Sequence, residues 1–166
     1  MKFECYIEGD FTHVKGCLLI PRFEIKVECG CCKKIKENIR IDGDKTVEKE
    51  FAKNKDPARY NFTMKCECGT DICVNVSEPE NKINCVDKEG ENEIKISPVE
   101  NEKCVLMNFW SEGGVVTDVD NVQLTVVAET LERFENVDIK KQVVAEQKDN
   151  HQCFIENFKL KVKQVN

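Results

Sequence analysis

Leu19-Ile20-Pro21-Arg22-Phe23-Glu24-Ile25-Lys26-Val27-Glu28-Cys29-Gly30-Cys31-Cys32 is the stretch that decides the reading of this chain. Leu19, Pro21, Phe23, Ile25 and Val27 alternate with Ile20, Arg22, Glu24, Lys26 and Glu28. Side chains two apart share one face of a β-strand, so this is a half-buried strand running directly into Cys29. Beyond the cysteines, Ile35, Glu37, Ile39 and Ile41 alternate with Lys34, Lys36, Asn38 and Arg40, and a second strand leaves the cluster. Asp42-Gly43-Asp44 then signals a turn. The arrangement recurs downstream. Tyr60, Phe62 and Met64 share a face and lead to Cys66, and Ile72, Val74 and Val76 continue beyond Cys68-Gly69.

The same alternation extends outward. Phe3, Cys5, Ile7 and Phe11 fall on one parity, and Cys104 to Trp110 reads as a buried strand. Val122, Leu124 and Val126 form another, and a short one is expected over 94–96. Phe158, Leu160 and Val162 alternate with Lys159, Lys161 and Lys163, the wet face of an edge strand on which lysines discourage pairing. Residues 45–58, with Asp56-Pro57, read as loop with one helical turn, and 77–93, with Pro79 and Gly90, as turn-rich. Residues 128–135 read as a brief helix or a loop before Val137–Ile139. No segment sustains the 3.6-residue period of a long helix. Many short strands with regular turns predict an all-β fold, a two-layer sandwich or open barrel. No break in composition divides the chain, so 1–166 is expected to form a single β domain.

The balance of 31 acidic against 25 basic residues gives a net charge of −6, which argues against a broad nucleic-acid-binding surface. Acidic residues enter at once after Met1, so no secretory signal is read, and no apolar run approaches the roughly 20 residues that span a bilayer. The count of 11 cysteines is odd, which suits reduced thiols better than a complete disulfide framework. The expected compartment is the cytoplasm, with the nucleus open as well. Two glycosylation triplets, Asn61-Phe62-Thr63 and Asn75-Val76-Ser77, are of a kind common by chance.

Chemistry concentrates in Cys29-Gly30-Cys31-Cys32 and Cys66-Glu67-Cys68-Gly69. Two tight turns between strands can aim four thiolates at one ion, the tetrahedral set that Zn2+ favours. The preferred ligands are Cys29, Cys32, Cys66 and Cys68, with Cys31 as the substitute for Cys32. The Cys66/Cys68 pair is one residue tighter than the usual spacing. Four thiolates leave a local charge of −2 on a zinc site, with Lys33, Lys34, Lys36 and Lys65 nearby in sequence to offset it. Backbone N–H groups of the turns are expected to donate to the sulfurs. Such a closed set has no position for water and is structural. Cys31 and Cys73, as further thiols beside the site, would suit exchange of a soft metal. Isolated Cys5, Cys17, Cys85, Cys104 and Cys153 read as small buried residues. A redox pair at Cys29–Cys32 is the rival, but it ordinarily needs a helix N-terminus, and a strand period follows here.

Nothing else stands out as a reaction centre. His13 and His151 lie outside any ligand-spaced motif and read as surface residues. Glu112, Asp118 and Asp120 flank Gly113-Gly114 as a solvated turn, with a binding loop as the alternative, and Phe109 and Trp110 read as core or rim packing or as a protein-contact patch. No serine elbow, phosphate loop or HExxH pattern occurs, so no catalytic residue is assigned.

Phe23-Glu24-Ile25-Lys26-Val27-Glu28-Cys29-Gly30-Cys31-Cys32, and more strongly Ala58-Arg59-Tyr60-Asn61-Phe62-Thr63-Met64-Lys65-Cys66 with the strand near Ile72, resemble a known group. It is the eukaryotic family of small CXXC-motif-containing zinc-binding proteins. Gly113-Gly114-Val115-Val116-Thr117-Asp118-Val119-Asp120-Asn121-Val122-Gln123-Leu124 is similar to a diverged form of that family's later Ser-Gly-Thr and acidic-hydrophobic segment. The resemblance implies an all-β two-layer protein with one zinc site on Cys29, Cys32, Cys66 and Cys68, and no assigned enzymatic activity. The missing residue between the last two cysteines is a departure, and it leaves Cys73 as an alternative to Cys68.

The sequence therefore predicts a non-enzymatic zinc-binding protein whose site lies within residues 25–76. It is read as an interaction or adaptor module whose partner is another protein. The alternatives are a soft-metal carrier and a thiol-disulfide oxidoreductase.

Overall fold

The structure, a computed structural model, describes residues 1–49, 58–139, 143–146 and 152–166. In chain order the strands are β1 (Lys2–Thr12), β2 (Val14–Leu19), β3 (Arg22–Cys29), β4 (Ile35–Asp42), β5 (Val47–Lys49) and β6 (Ala58–Tyr60). There follow β7 (Phe62–Lys65), β8 (Asp71–Ser77), β9 (Ile83–Val86), β10 (Glu93–Pro98), β11 (Lys103–Glu112) and β12 (Gly114–Asp120). The last are β13 (Gln123–Ala128), β14 (Arg133–Asp138), β15 (Val143–Glu146) and β16 (Gln152–Val165). The described residues contain no helix, so none is long and apolar enough to cross a membrane.

A six-stranded sheet runs β15-β16-β1-β11-β8-β7 and a five-stranded one β14-β13-β2-β10-β9. A three-stranded sheet, β12-β3-β4, and the β5-β6 pair complete the set. Among the described residues no sheet closes on itself, and the packed layers form a sandwich, as the alternation predicts. Phe3, Cys5 and Ile7 of β1 and Phe23, Ile25 and Val27 of β3 are buried in one continuous core, joined there by Leu124 and Val126 of β13. Phe23 meets Phe109 of β11 edge-on, with ring centroids 5.8 Å apart, and so ties the three-stranded sheet to the six-stranded one.

The expected strand from Leu19 to Val27 is broken. β2 ends at Leu19, and β3 begins at Arg22 in a different sheet. Pro21 offers no N–H to a ladder and restricts Ile20 before it. The partner segment bends at the same level, where β12 gives way to β13, and the Ile20 N–H donates to the Gln123 carbonyl at 3.0 Å. One pair of chain segments thus serves two sheets.

A second break falls at Asn61. Tyr60 ends β6, whereas Phe62 and Met64 belong to β7 and pack on the core, so the three do not share one sheet. Asn61 makes the corner. Its N–H donates to the Asn75 side-chain oxygen at 3.0 Å, and its own side-chain oxygen accepts the Val76 N–H at 2.7 Å. Its amide nitrogen reaches the Lys45 and Gly43 carbonyls at 2.9 and 3.3 Å. Both glycosylation triplets therefore begin at asparagines committed to internal hydrogen bonds.

Other expectations shift as well. Residues 128–135 form a turn and the start of β14, without a helix, and the turn-rich 77–93 region contains β9. Ile35 lies exposed on β4, while Ile41 is buried. Lys159, Lys161 and Lys163 do face solvent, and beyond Ile155 β16 pairs with β1 alone among the described residues. The loop centre at 50–57 and His151 lie outside the described residues.

Removing the Asn61 side chain leaves the Val76 N–H without its acceptor. Asn61→Ala is expected to lower stability by about 1–3 kcal/mol, as read from the midpoint of chemical denaturation.

Candidate metal centre

The strand–cysteines–strand pattern is realised as two hairpins, β3–β4 and β7–β8. Their turns differ. In the first, the Lys33 N–H donates to the Cys29 carbonyl and the Cys29 N–H to the Lys34 carbonyl, at 3.1 and 2.9 Å. This is a wide turn, with Lys33 in the left-handed region at φ 65°. In the second, the Gly69 N–H donates to the Cys66 carbonyl and the Cys66 N–H to the Thr70 carbonyl, both at 2.8 Å. This is a tight turn followed by a left-handed residue, and at φ 92° Gly69 suits that place. The tighter turn presents two sulfurs with only one residue between them. It resolves the short Cys66–Cys68 spacing.

The sulfurs of Cys29, Cys32, Cys66 and Cys68 lie within 4.8 Å of one another. Cys29 and Cys68 are 3.6 Å apart, and Cys32 and Cys66 3.5 Å, so the shortest approaches run between the hairpins. A tetrahedral ion with metal–sulfur bonds near 2.3 Å sets its ligands about 3.8 Å apart, so this donor set has the dimensions to hold one metal ion. Cys29 and Cys66 are buried, whereas Cys32 and Cys68 face solvent. Neither proposed substitute joins the group. Cys31 points outward from the same turn. Cys73 is buried on β8 on the side toward Lys49 and Tyr60, under the β5–β6 pair.

Electrostatics in the cluster follow from hydrogen bonds to sulfur. The backbone amides of Cys32 and Cys31 pull the Cys29 thiol below its ordinary value. The Thr70 hydroxyl, 3.2 Å from the Cys68 sulfur, and the Thr70 amide together lower the Cys68 thiol to about 6. At Cys32 the Lys34 amide acts in the same direction. It is outweighed by desolvation and by hydrogen bonds to the sulfurs of Cys66, Cys68 and Cys29, which push that thiol up to about 12. Four clustered sulfurs thus resist ionising together, and a bound cation is what would replace the protons they share. The expected N–H donors to sulfur are present. Of the expected lysines, Lys34 is engaged with Glu67 at 2.7 Å, one partner from each hairpin. Both groups are well exposed, so that pair contributes little to holding the turns together.

The Gly113-Gly114 turn expected from the sequence lies beside the cysteine hairpins, a position that the sequence does not show. The Gly30 N–H donates to the Gly113 carbonyl at 2.9 Å, and Gly113 lies against the Asp71 carbonyl. The corner after β11 therefore touches both cysteine hairpins. Asp118 and Asp120 run on along β12 and do not form a turn with Glu112. Among the other cysteines, Cys5, Cys17, Cys85, Cys104 and Cys153 are buried as expected, and the Cys104 thiol donates to the Ser97 carbonyl at 3.3 Å. His13 is exposed, 3.3 Å from Glu129.

No protein-family model matches the chain. In sequence it is 22% identical over 154 residues to an uncharacterized protein of Encephalitozoon cuniculi (strain GB-M1), a match covering 87% of each chain. In three dimensions it is similar to a hypothetical protein from Plasmodium falciparum, with a TM-score of 0.73, 13% identity and coverage of 98% of this chain and 99% of that one. The crystal structure of C1orf123 is similar too, with a TM-score of 0.71, 14% identity and coverage of 99% and 100%. These likenesses establish the fold over the full length. The candidate site rests on the four sulfurs.

Because the Cys68 thiol ionises below its ordinary 9.0, its contribution to the stability of the metal-free fold is complete above pH 9 and is lost as pH falls through about 6. In reduced, metal-free protein, alkylation of Cys68 is expected to be half-maximal at about pH 6. Thr70→Val should move that midpoint upward. A pH series of iodoacetamide labelling read by mass spectrometry checks both, and a midpoint near 9.0 in both proteins contradicts the assignment.

Proposed function

We propose that the protein is a zinc-binding protein in which Zn2+, held by Cys29, Cys32, Cys66 and Cys68, ties the two β-hairpins together. The observation that carries this reading is the convergence of four sulfurs from separate sheets to within 4.8 Å, with backbone amides donating to them. A four-sulfur set leaves no open coordination position, so the site is structural and the protein acts without catalysis of its own. That assignment supports reading the chain as one of the small CXXC-motif-containing zinc-binding proteins. The odd count of 11 cysteines suits reduced thiols, which supports a cytoplasmic location. A protein partner is the reading that best suits Trp110, 37% exposed at the sheet surface and stacked on Tyr60.

One observation favours a second reading. Cys32 and Cys68 are exposed, which would let an incoming thiol reach a bound soft metal and suits a carrier. The oxidoreductase reading draws less support, because the cluster follows strands and lacks the helix N-terminus on which such a pair ordinarily sits.

Protein purified from a reducing cytosol is expected to carry one zinc per chain by native mass spectrometry. Free zinc about a thousandfold above its dissociation constant should stabilise the fold by about 4 kcal/mol. Cys66→Ser should abolish both the metal and that stabilisation. Unchanged zinc content and melting in this variant overturn the structural site, and rapid exchange with a chelator without loss of fold selects the carrier.

A further inference from the structure

The two cysteine hairpins belong to different sheets, and no ladder joins them. What joins them is the corner between β11 and β12. β11 pairs with β8, the second strand of one hairpin, bringing Ser111 opposite Val74 and Glu112 opposite Cys73. β12 pairs with β3, the first strand of the other, bringing Gly114 directly opposite Cys29. Gly113 is the single residue between these two ladders. Its φ of 77° lies in the left-handed region, and a Cβ there would sit 1.9 Å from the Asp71 carbonyl oxygen. Its carbonyl accepts the Gly30 N–H of the first cysteine turn. A Cβ on Gly114 would meet Val27 at 2.9 Å and Ile72 at 3.0 Å, one from each hairpin. The corner is braced by the fully buried Ser111 hydroxyl, which donates to the Gly114 carbonyl at 2.6 Å.

We infer that the Ser111–Gly114 corner, which supplies no ligand, sets the separation of the two thiol pairs. It thereby governs the affinity and coordination geometry of the metal site, with Gly113 as its positioning residue. This rests on the metal-binding reading above. The physical argument is one of tolerance. A tetrahedral thiolate site accepts its ion only within a few tenths of an ångström, and two hairpins in different sheets hold that distance only through whatever fixes one against the other. The exposed Lys34–Glu67 pair is too weakly held to do so. The corner has no slack, because backbone meets backbone on both of its sides.

The test uses Co(II) as the metal on the full-length reduced protein, with affinity from competition against a chromophoric chelator and geometry from the visible ligand-field spectrum. The variants are Gly113→Ala, Ser111→Ala and Gly90→Ala. Gly90 has a similar φ of 74° but nothing within 4 Å of a Cβ, so it reports backbone strain away from the site. Wild-type protein is expected to show a tetrahedral thiolate spectrum. Gly113→Ala and Ser111→Ala should bind about 10- to 100-fold more weakly with a shifted spectrum, whereas Gly90→Ala keeps wild-type affinity and spectrum. If Gly113→Ala does not fold, Ser111→Ala decides alone. Wild-type affinity and spectrum in Ser111→Ala overturn the inference, as does equal weakening in Gly90→Ala. A wild-type protein that binds no Co(II) overturns the metal reading itself, and the two failures are thereby told apart.

Discussion

Two hairpins that share no hydrogen-bonded ladder must bring four sulfurs to one point. The six-stranded sheet delivers Cys66 and Cys68, and the three-stranded sheet delivers Cys29 and Cys32. Below them the sheets share one core, and buried Cys29 and Cys66 are themselves part of it. The sulfur cluster is therefore an outgrowth of the hydrophobic core. Its position depends on the same packing, such as Phe23 against Phe109, that holds the layers together.

The difference between the two turns is the local device that makes the meeting possible. A wide turn closed by Lys33 and a tight turn closed by Gly69 offset their unequal spacing, so a two-residue and a one-residue gap present equivalent sulfur pairs. The amides freed by those turns point at sulfur. They favour thiolate at Cys29 and Cys68, while Cys32, crowded by three other sulfurs, resists it. A cluster divided in this way resists full ionisation as a set of thiols and has the donors that one metal ion would take.

Much of the fold was legible in the chain because half-buried strands carry a period of two. Phe3-Cys5-Ile7 and Phe23-Ile25-Val27 show it, and all six are buried. The misreadings share a cause. Leu19 to Val27 and Tyr60 to Met64 keep their alternation through a change of sheet, since parity records which face a residue takes and not which sheet it joins. Pro21 and Asn61 mark those breaks, the first by lacking a donor and the second by replacing ladder bonds with its side chain. β9 is only four residues long and carries too little pattern to be seen.

The sequence by itself determined that the protein is built of strands and that its chemistry lies in two cysteine turns. Residue type and period are local properties, and both survive without knowledge of the partner strand. Only the tertiary structure decided which cysteines meet. Cys32 over Cys31, and Cys68 over Cys73, follow from turn class and from the burial of β8 on both faces, and spacing encodes neither. The tertiary structure also placed Gly113, 45 residues beyond Cys68, between the two hairpins. The Gly113-Gly114 pair marks a turn locally, but no local signal says which segments it packs against, because these are distant in the chain.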